Sequence, residues 1–215
     1  WARVPVDVEL AHEFRYREPV LSPRTLVVSI SQSGETMDTL MAVKYAREQG
    51  ARTLSICNTQ GATIPRESDA VVYTHAGPEV AVASTKAFVA QITAIYLLGL
   101  QLGQVRGALA AERARELVAE LQAVPEKLAA VLSSGERIRE MAKWMADTQS
   151  VLFLGRHVGF PVALEGALKL KELAYIHAEG FAAGELKHGP IAVIDQGTPV
   201  IVIVPSPRSR ESVHG

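Results

Sequence analysis

The sequence predicts an α/β protein, a three-layer αβα sandwich built on parallel sheets. Short β-branched runs alternate with longer helical patterns, the order expected when strands are joined by crossover helices. Two of the runs, Thr25–Ile30 (TLVVSI) and Pro199–Val204 (PVIVIV), are apolar nearly throughout, as strands buried on both faces should be. The strand–loop–helix pattern also stops and restarts across a long helical stretch. That divides the chain into a first lobe with inter-lobe helices over residues 1–135 and the start of a second lobe over 136–215.

Val6–Glu9 is a weak first strand, and Thr25–Ile30 is the first strong one. A polar loop leads into a helix over Thr36–Gln49, stopped by Gly50, the residue that most readily adopts a left-handed stop. Arg52–Cys57 is the next strand, followed by a turn-rich segment Asn58–Ser68 and a strand over Asp69–Thr74. Ser84–Gly103 reads as a long apolar helix that should be buried or sit at a subunit interface. Residues Ala108–Asp147 are helical, punctuated at Pro125 and at Ser133-Ser134-Gly135. The pattern then restarts with a strand at Ser150–Leu154, a loop at Gly155–Phe160 and a helix over Pro161–Ile176 that has Pro in its first turn. After the strand Pro199–Val204 the chain runs out to Gly215. The second lobe thus shows two strands where a free-standing doubly wound lobe has about five, and it reads as incomplete.

Composition narrows the class. A chain of 215 residues, 48% hydrophobic and 21% charged, can bury a sizeable core, which excludes disorder. The formal net charge is −1, without basic runs, and this gives no electrostatic footprint for nucleic acid or an anionic membrane. One cysteine, Cys57, excludes internal disulfides and fits a reducing compartment. It ends a strand far from any His and reads as a small buried hydrophobe. No charged leader precedes an apolar run at the N-terminus, so no signal peptide is expected. The apolar stretch Ile92–Leu102 is interrupted by Thr93, Gly99 and Gln101 and reads as too short for a bilayer. A cytoplasmic globular protein is the expectation.

Two hydroxyl clusters stand at helix starts. Ser31-Gln32-Ser33-Gly34-Glu35-Thr36 lies at the carboxyl end of a strand, where open α/β sheets bind ligands. Its hydroxyls, the free N–H groups of the helix and the positive dipole end suit a phosphate, and Gly34 permits close backbone approach. Neither a P-loop Lys nor GxGxxG is present, so nucleotide motifs do not fit. Ser33 or Thr36 could equally serve as a helix cap, and local chemistry leaves both readings open. Ser84-Thr85-Lys86 is the second cluster. A cation in a first helical turn opposes the macrodipole unless an anion is near; an N-cap with a solvated Lys explains it as well.

On the helix Pro161–Ile176, Glu165, Lys169 and Glu172 are spaced i, i+4, i+7 and fall within about 60° on one face. The stripe is either a surface ion pair or a general base with Lys169 setting its orientation and pKa. The small-residue segment His177–Pro190 lacks metal-ligand spacing, and His188, beside the Gly189-Pro190 turn, is its acid/base candidate.

Together, SQSGET, VASTKAF (Val82–Phe88) and LEGALKLKELAYIHAEGFAAGELKHGP (Leu164–Pro190) closely resemble the isomerase domain of the glucosamine-6-phosphate synthases, the glutamine:fructose-6-phosphate amidotransferases, built from two sugar-isomerase (SIS) lobes of flavodoxin-like form. EFRYRE (Glu13–Glu18) and ICN (Ile56–Asn58) extend the resemblance along the chain. It implies that Ser31, Gln32, Ser33 and Thr36 cradle the phosphate of fructose 6-phosphate and that Val82 and Ser84 line the sugar site. Glu172 would carry the proton between C1 and C2 with Lys169 assisting. His188 would open the sugar ring in a neighbouring subunit's site, which requires a homodimer. No metal or organic cofactor is implied. The family's glutaminase domain with its nucleophilic Cys, its opening strand and Gly/Ser/Thr loop, and its C-terminal catalytic Lys have no counterpart among these residues. A fragment with little activity of its own is therefore expected. A stand-alone SIS isomerase or deaminase, and a non-catalytic sugar-phosphate-binding module, share the same motifs.

Overall fold

The computed structural model describes residues 1–205; the run-out over Ser206–Gly215 lies outside them. The chain divides into two compact units, Trp1–Lys127 and Leu128–Gly215. The first contains α1 (Ala11–Phe14), β1 (Leu26–Ser31), α2 (Met37–Glu48), β2 (Arg52–Cys57), α3 (Thr63–Glu67), β3 (Ala70–Tyr73), α4 (Lys86–Val105) and α5 (Ala111–Gln122). Then come α6 (Val124–Ser133), α7 (Gly135–Trp144), β4 (Ser150–Gly155), α8 (Gly159–Ala174), β5 (His177–Ala182), two 3-10 turns over Ala183–His188 and Pro190–Val193, and β6 (Val200–Ile203). The helical breaks fall at Ala123 and Ser134, next to the expected Pro125 and Ser133–Gly135 punctuation.

In the first unit β1, β2 and β3 form a parallel sheet in sequence order, with Ser31 opposite Cys57 and Cys57 opposite Tyr73. All three strands therefore end on one side, and the loops that follow them gather there. Leu40 and Val43 of α2 pack with Ile64 of α3, while Ile56 and Cys57 of β2 are fully buried. Gly50 ends α2 as its composition predicts. Its φ is +79°, and Ala51 N–H donates to Ala46 O at 3.0 Å, the bond that closes a left-handed helix stop.

Several expectations are corrected. Val6–Glu9 forms no strand; Val6 and Val8 are exposed, and no partner pairs with them among the described residues. β1 is not buried on both faces, with Leu26 at 44% and Ile30 at 43% exposure, because it is an edge strand paired only with β2. The turn-rich segment after β2 contains the short helix α3. α4 runs straight through Thr93, Gly99 and Gln101, and its 20 residues are long and apolar enough to cross a bilayer by length and composition. It is not wholly buried. Ala87, Ala94, Leu100 and Gly103 face the first unit's interior, Trp1 packs edge-on against Tyr96 at 4.4 Å, and Val89, Ile92 and Ile95 remain exposed.

The second unit has three parallel strands in the order β5-β4-β6, not two. The chain leaves the central β4 toward β5 and returns on the other side as β6, so the carboxyl end of β4 is a topological switch point. Phe153 and Val151 of β4, Ala163 and Ala167 of α8, and Ala178 of β5 form the core, joined by Leu170, Ile176, Ile201 and Ile203. One turn recurs ahead of β1 and β6. Ser22 N–H donates to Thr25 Oγ1 at 3.1 Å and Thr25 N–H to Ser22 O at 2.9 Å; Asp195 and Thr198 repeat the pair at 3.1 and 3.0 Å.

Asp69 ties β3's entry to β2. It accepts from Thr53 N–H at 2.8 Å and Thr53 Oγ1 at 2.9 Å. These bonds, aided by Arg47 and Arg52, hold its carboxyl below the usual carboxylate range. Folding thus favours the ionised form. Its stabilisation is complete above the unfolded carboxylate pKa and is lost as pH falls through the lower folded value. Asp69→Asn should lower the urea midpoint near pH 7, and the gap from wild type should narrow as pH falls below the unfolded carboxylate range toward the lowered folded value. Urea titrations of the two proteins that stay parallel across this range would refute the assignment.

Candidate active site

The loop Ser31–Thr36 is built by its own side chains. Ser31 is buried at the end of β1 and its Oγ accepts from Gly34 N–H at 2.9 Å; Ser33 Oγ accepts from Glu35 N–H at 3.2 Å. Both hydroxyls take a backbone proton as acceptors, which leaves their own protons to donate to an anion. Gln32 O is anchored by Asn58 N–H at 3.3 Å and Thr59 N–H at 3.2 Å. Gly34 has φ +71°, and a Cβ there would stand 2.5 Å from Ala62 Cβ and 2.8 Å from Cys57 Sγ. Burial raises the Cys57 thiol pKa, although bonds to the Thr59 and Asn58 backbone oppose the shift. That agrees with its reading as a buried packing group under the loop.

Thr36 occupies the N-cap position of α2, yet no side chain caps that helix. The positive end of a twelve-residue helix therefore opens onto the loop, with Thr36's hydroxyl beside it. The loop's one carboxylate is turned elsewhere. Glu35 Oε1 accepts from Thr63 N–H at 2.8 Å, and this interaction with Thr63, reinforced by Arg66, lowers its pKa.

Glu79 answers the question posed by Lys86. It accepts from Ala87 N–H at 3.0 Å and from Thr85 N–H and Oγ1, each at 3.3 Å. The bond from Ala87 leads, and with Thr85 and the charge of Lys86 it lowers the Glu79 pKa. The anion at the start of α4 is thus the protein's own. Ser84 does not cap the helix, and its Oγ is buried without a hydrogen-bond partner. Val82, two residues before, is 96% exposed.

In the second unit Lys169 stands between two carboxylates on α8. Its Nζ donates to Glu172 Oε2 and lies 3.5 Å from Glu165 Oε1. Desolvation pulls the Lys169 pKa down, but the Glu172 hydrogen bond and the charges of Glu165 and Glu172 outweigh it and leave it raised. The cation is thereby fixed beside Glu172. His188 ends the 3-10 turn after β5, exposed, before Gly189 at φ +144°. No hydrogen bond or ion pair joins it to Lys169 or Glu172 among the described residues. No group of three or more His, Cys, Asp or Glu close enough to hold a metal occurs among the described residues.

Structure thus gathers Ser31, Gln32, Ser33 and Thr36 in one loop, sets Val82 and Ser84 before α4, and pairs Lys169 with Glu172. Sequence reasoning missed Glu79, Glu35 and Asn58. Each acts on a loop distant in sequence or on a helix start several residues away, a relation that spacing rules for local caps do not detect.

Parallel sheets with helices joining their strands place the chain in the α/β class. The chain belongs to the SIS-domain family, which residues 1–101 and 145–215 match. It is 75% identical over its whole length to the isomerizing glutamine–fructose-6-phosphate aminotransferase of Leifsonia xyli subsp. xyli and 68% identical to that of Corynebacterium diphtheriae. It spans 35% and 34% of those relatives. It also resembles the C-terminal domain of glucosamine-fructose-6-phosphate aminotransferase from Francisella tularensis, with TM-score 0.93 and 38% identity over 99% of this chain and 62% of that one.

Proposed function

We propose that the chain is the isomerase part of an amidotransferase that makes glucosamine 6-phosphate from fructose 6-phosphate and glutamine-derived ammonia. The observation that carries the reading is the uncapped start of α2 beside hydroxyls already oriented by backbone N–H groups. Such a site takes a phosphate without a basic residue. Identity across the whole chain to relatives named for that reaction supports the same substrate.

In this reading Ser31, Gln32, Ser33 and Thr36 hold the phosphate, and Val82 and Ser84 line the sugar. Ammonia adds at C2 of the open-chain ketose and water leaves, giving an imine. Glu172 removes a proton from C1 and returns it to C2, with Lys169 holding the carboxylate in place. The C1 hydroxyl proton passes to nitrogen as C1 becomes the aldehyde carbon, so the imine becomes an amine on C2 and no C–N bond is broken. His188 promotes ring opening in a neighbouring subunit's site. A homodimer, a glutaminase domain in the same gene product, two successive SIS lobes and a cytoplasmic setting complete the proposal. The exposed apolar side of α4 offers surface for such an assembly.

Titration of the full gene product with fructose 6-phosphate, followed by amide NMR, tests it. Saturable shifts centred on Ser31–Thr36 are expected. Shifts confined to other segments, or none at millimolar ligand, would sink the assignment.

A further inference from the structure

Residues 74–85 join β3 to α4 without regular structure, a long connection of the kind that usually carries function. Side chains fasten it at both ends. At its base Asn58 Oδ1 accepts from Thr74 Oγ1 at 3.0 Å and Ala76 N–H at 2.8 Å, while Asn58 Nδ2 donates to Gly77 O at 2.7 Å. At its far end stands Glu79. Thr85 is the N-cap position of α4, and a Ser or Thr there ordinarily takes the N–H two or three residues on. Here Glu79 accepts the Ala87 N–H, and Thr85 spends its hydroxyl on Glu79 instead.

We propose that Glu79 is a positioning residue for the sugar: by holding the Thr85 N–H of the Ser84–Thr85 peptide and the Ala87 N–H of the first turn, it fixes where the Ser84 hydroxyl stands to bond a hydroxyl of the substrate. Ser84 Oγ is itself buried and bonds no other protein group, whereas buried hydroxyls are nearly always paired. The carboxylate also sets a negative charge at the positive end of α4, where the Thr85 and Ala87 groups hold it. Phosphate and sugar are thereby recognised by separate pieces: the Ser31–Thr36 loop by charge, the Glu79-held arm by hydroxyl geometry.

The inference rests on the sugar-phosphate reading above, and one experiment separates the two. In the full gene product, KM for fructose 6-phosphate, kcat and competitive inhibition by inorganic phosphate are measured for wild type, Glu79→Ala, Glu79→Gln, Ser84→Ala and the Glu79→Ala/Ser84→Ala double variant. Glu79→Ala should raise KM by about five- to fifty-fold, the range for one lost buried hydrogen bond, with kcat changed less than about threefold. Inhibition by inorganic phosphate, which uses the loop alone, should stay the same. Glu79→Gln, which keeps an acceptor for the two N–H groups, should recover much of the loss. The double variant should be no worse than either single one, because both remove the same contact. Unchanged KM in Glu79→Ala would overturn the proposal, as would a parallel weakening of phosphate inhibition, which marks general damage to the unit. Wild type that fails to saturate with fructose 6-phosphate would instead remove the sugar-phosphate reading, and this proposal with it.

Discussion

Glu172→Gln in the full gene product should lower kcat for fructose 6-phosphate amination by about 10²–10⁴-fold, the usual contribution of a positioned general base. The amide is nearly isosteric and can still accept from Lys169 Nζ, so the helix face is preserved. Glu165 remains as the second partner of Lys169, at 3.5 Å. What is lost is the ability to take up a proton from C1. KM should therefore move little, and the melting temperature should stay near that of wild type. The split matters, because an ion pair with a purely structural role would shift stability and leave kcat alone. Turnover within threefold of wild type would remove Glu172 from the proton transfer.

Gly34→Ala should be the most damaging small substitution in the first unit. Two effects coincide there. The backbone is left-handed at φ +71°, and an added Cβ would press on Ala62 Cβ at 2.5 Å and Cys57 Sγ at 2.8 Å. Ala62 and Cys57 are themselves buried and cannot retreat. The combined cost is about 2–4 kcal/mol, from backbone strain together with overpacking. Gly61 supplies the control: it has the same φ of +71° but nothing within 4 Å of a Cβ. Gly61→Ala thus reports the strain alone, about 1 kcal/mol. Urea unfolding of both variants gives the difference, and fructose 6-phosphate titration should show at least tenfold weaker binding for Gly34→Ala, a loss of about 1.4 kcal/mol or more. Equal costs at the two glycines would mean that the loop is not packed on Cys57.

Sequence patterning found β1, β2, β3, β4 and β6 from their β-branched and apolar runs, although β1 and β6 each leave residues of one face exposed and are not buried on both. β5 escaped because HAEGFA looks like a loop. Its glycine is there for a different reason. A Cβ on Gly180 would lie 3.0 Å from Leu164 Cα, so the residue lets α8 cross the strand closely. α8 also ends at Tyr175, a non-glycine residue at φ +57°, which a search for Gly or Asn stops cannot see. Val6–Glu9 shows the converse: alternation alone does not make a strand without a partner to pair with. At the site, the motif residues were legible because hydroxyls, glycine and a helix start have local chemistry. Glu79 was not, because its partners lie six and eight residues ahead and two of the three are backbone N–H groups.

The loop Ser31–Thr36 carries no lysine or arginine. In the proposed reading its hold on a phosphate would come from partial charges acting at contact distance, well inside the roughly 8–10 Å over which physiological salt screens a field. Two kinetic properties follow. Encounter proceeds by plain diffusion, without the electrostatic acceleration that a basic funnel supplies. Binding of fructose 6-phosphate through that loop, in the proposed reading, is also expected to depend only weakly on ionic strength, which titrations at low and high salt would check.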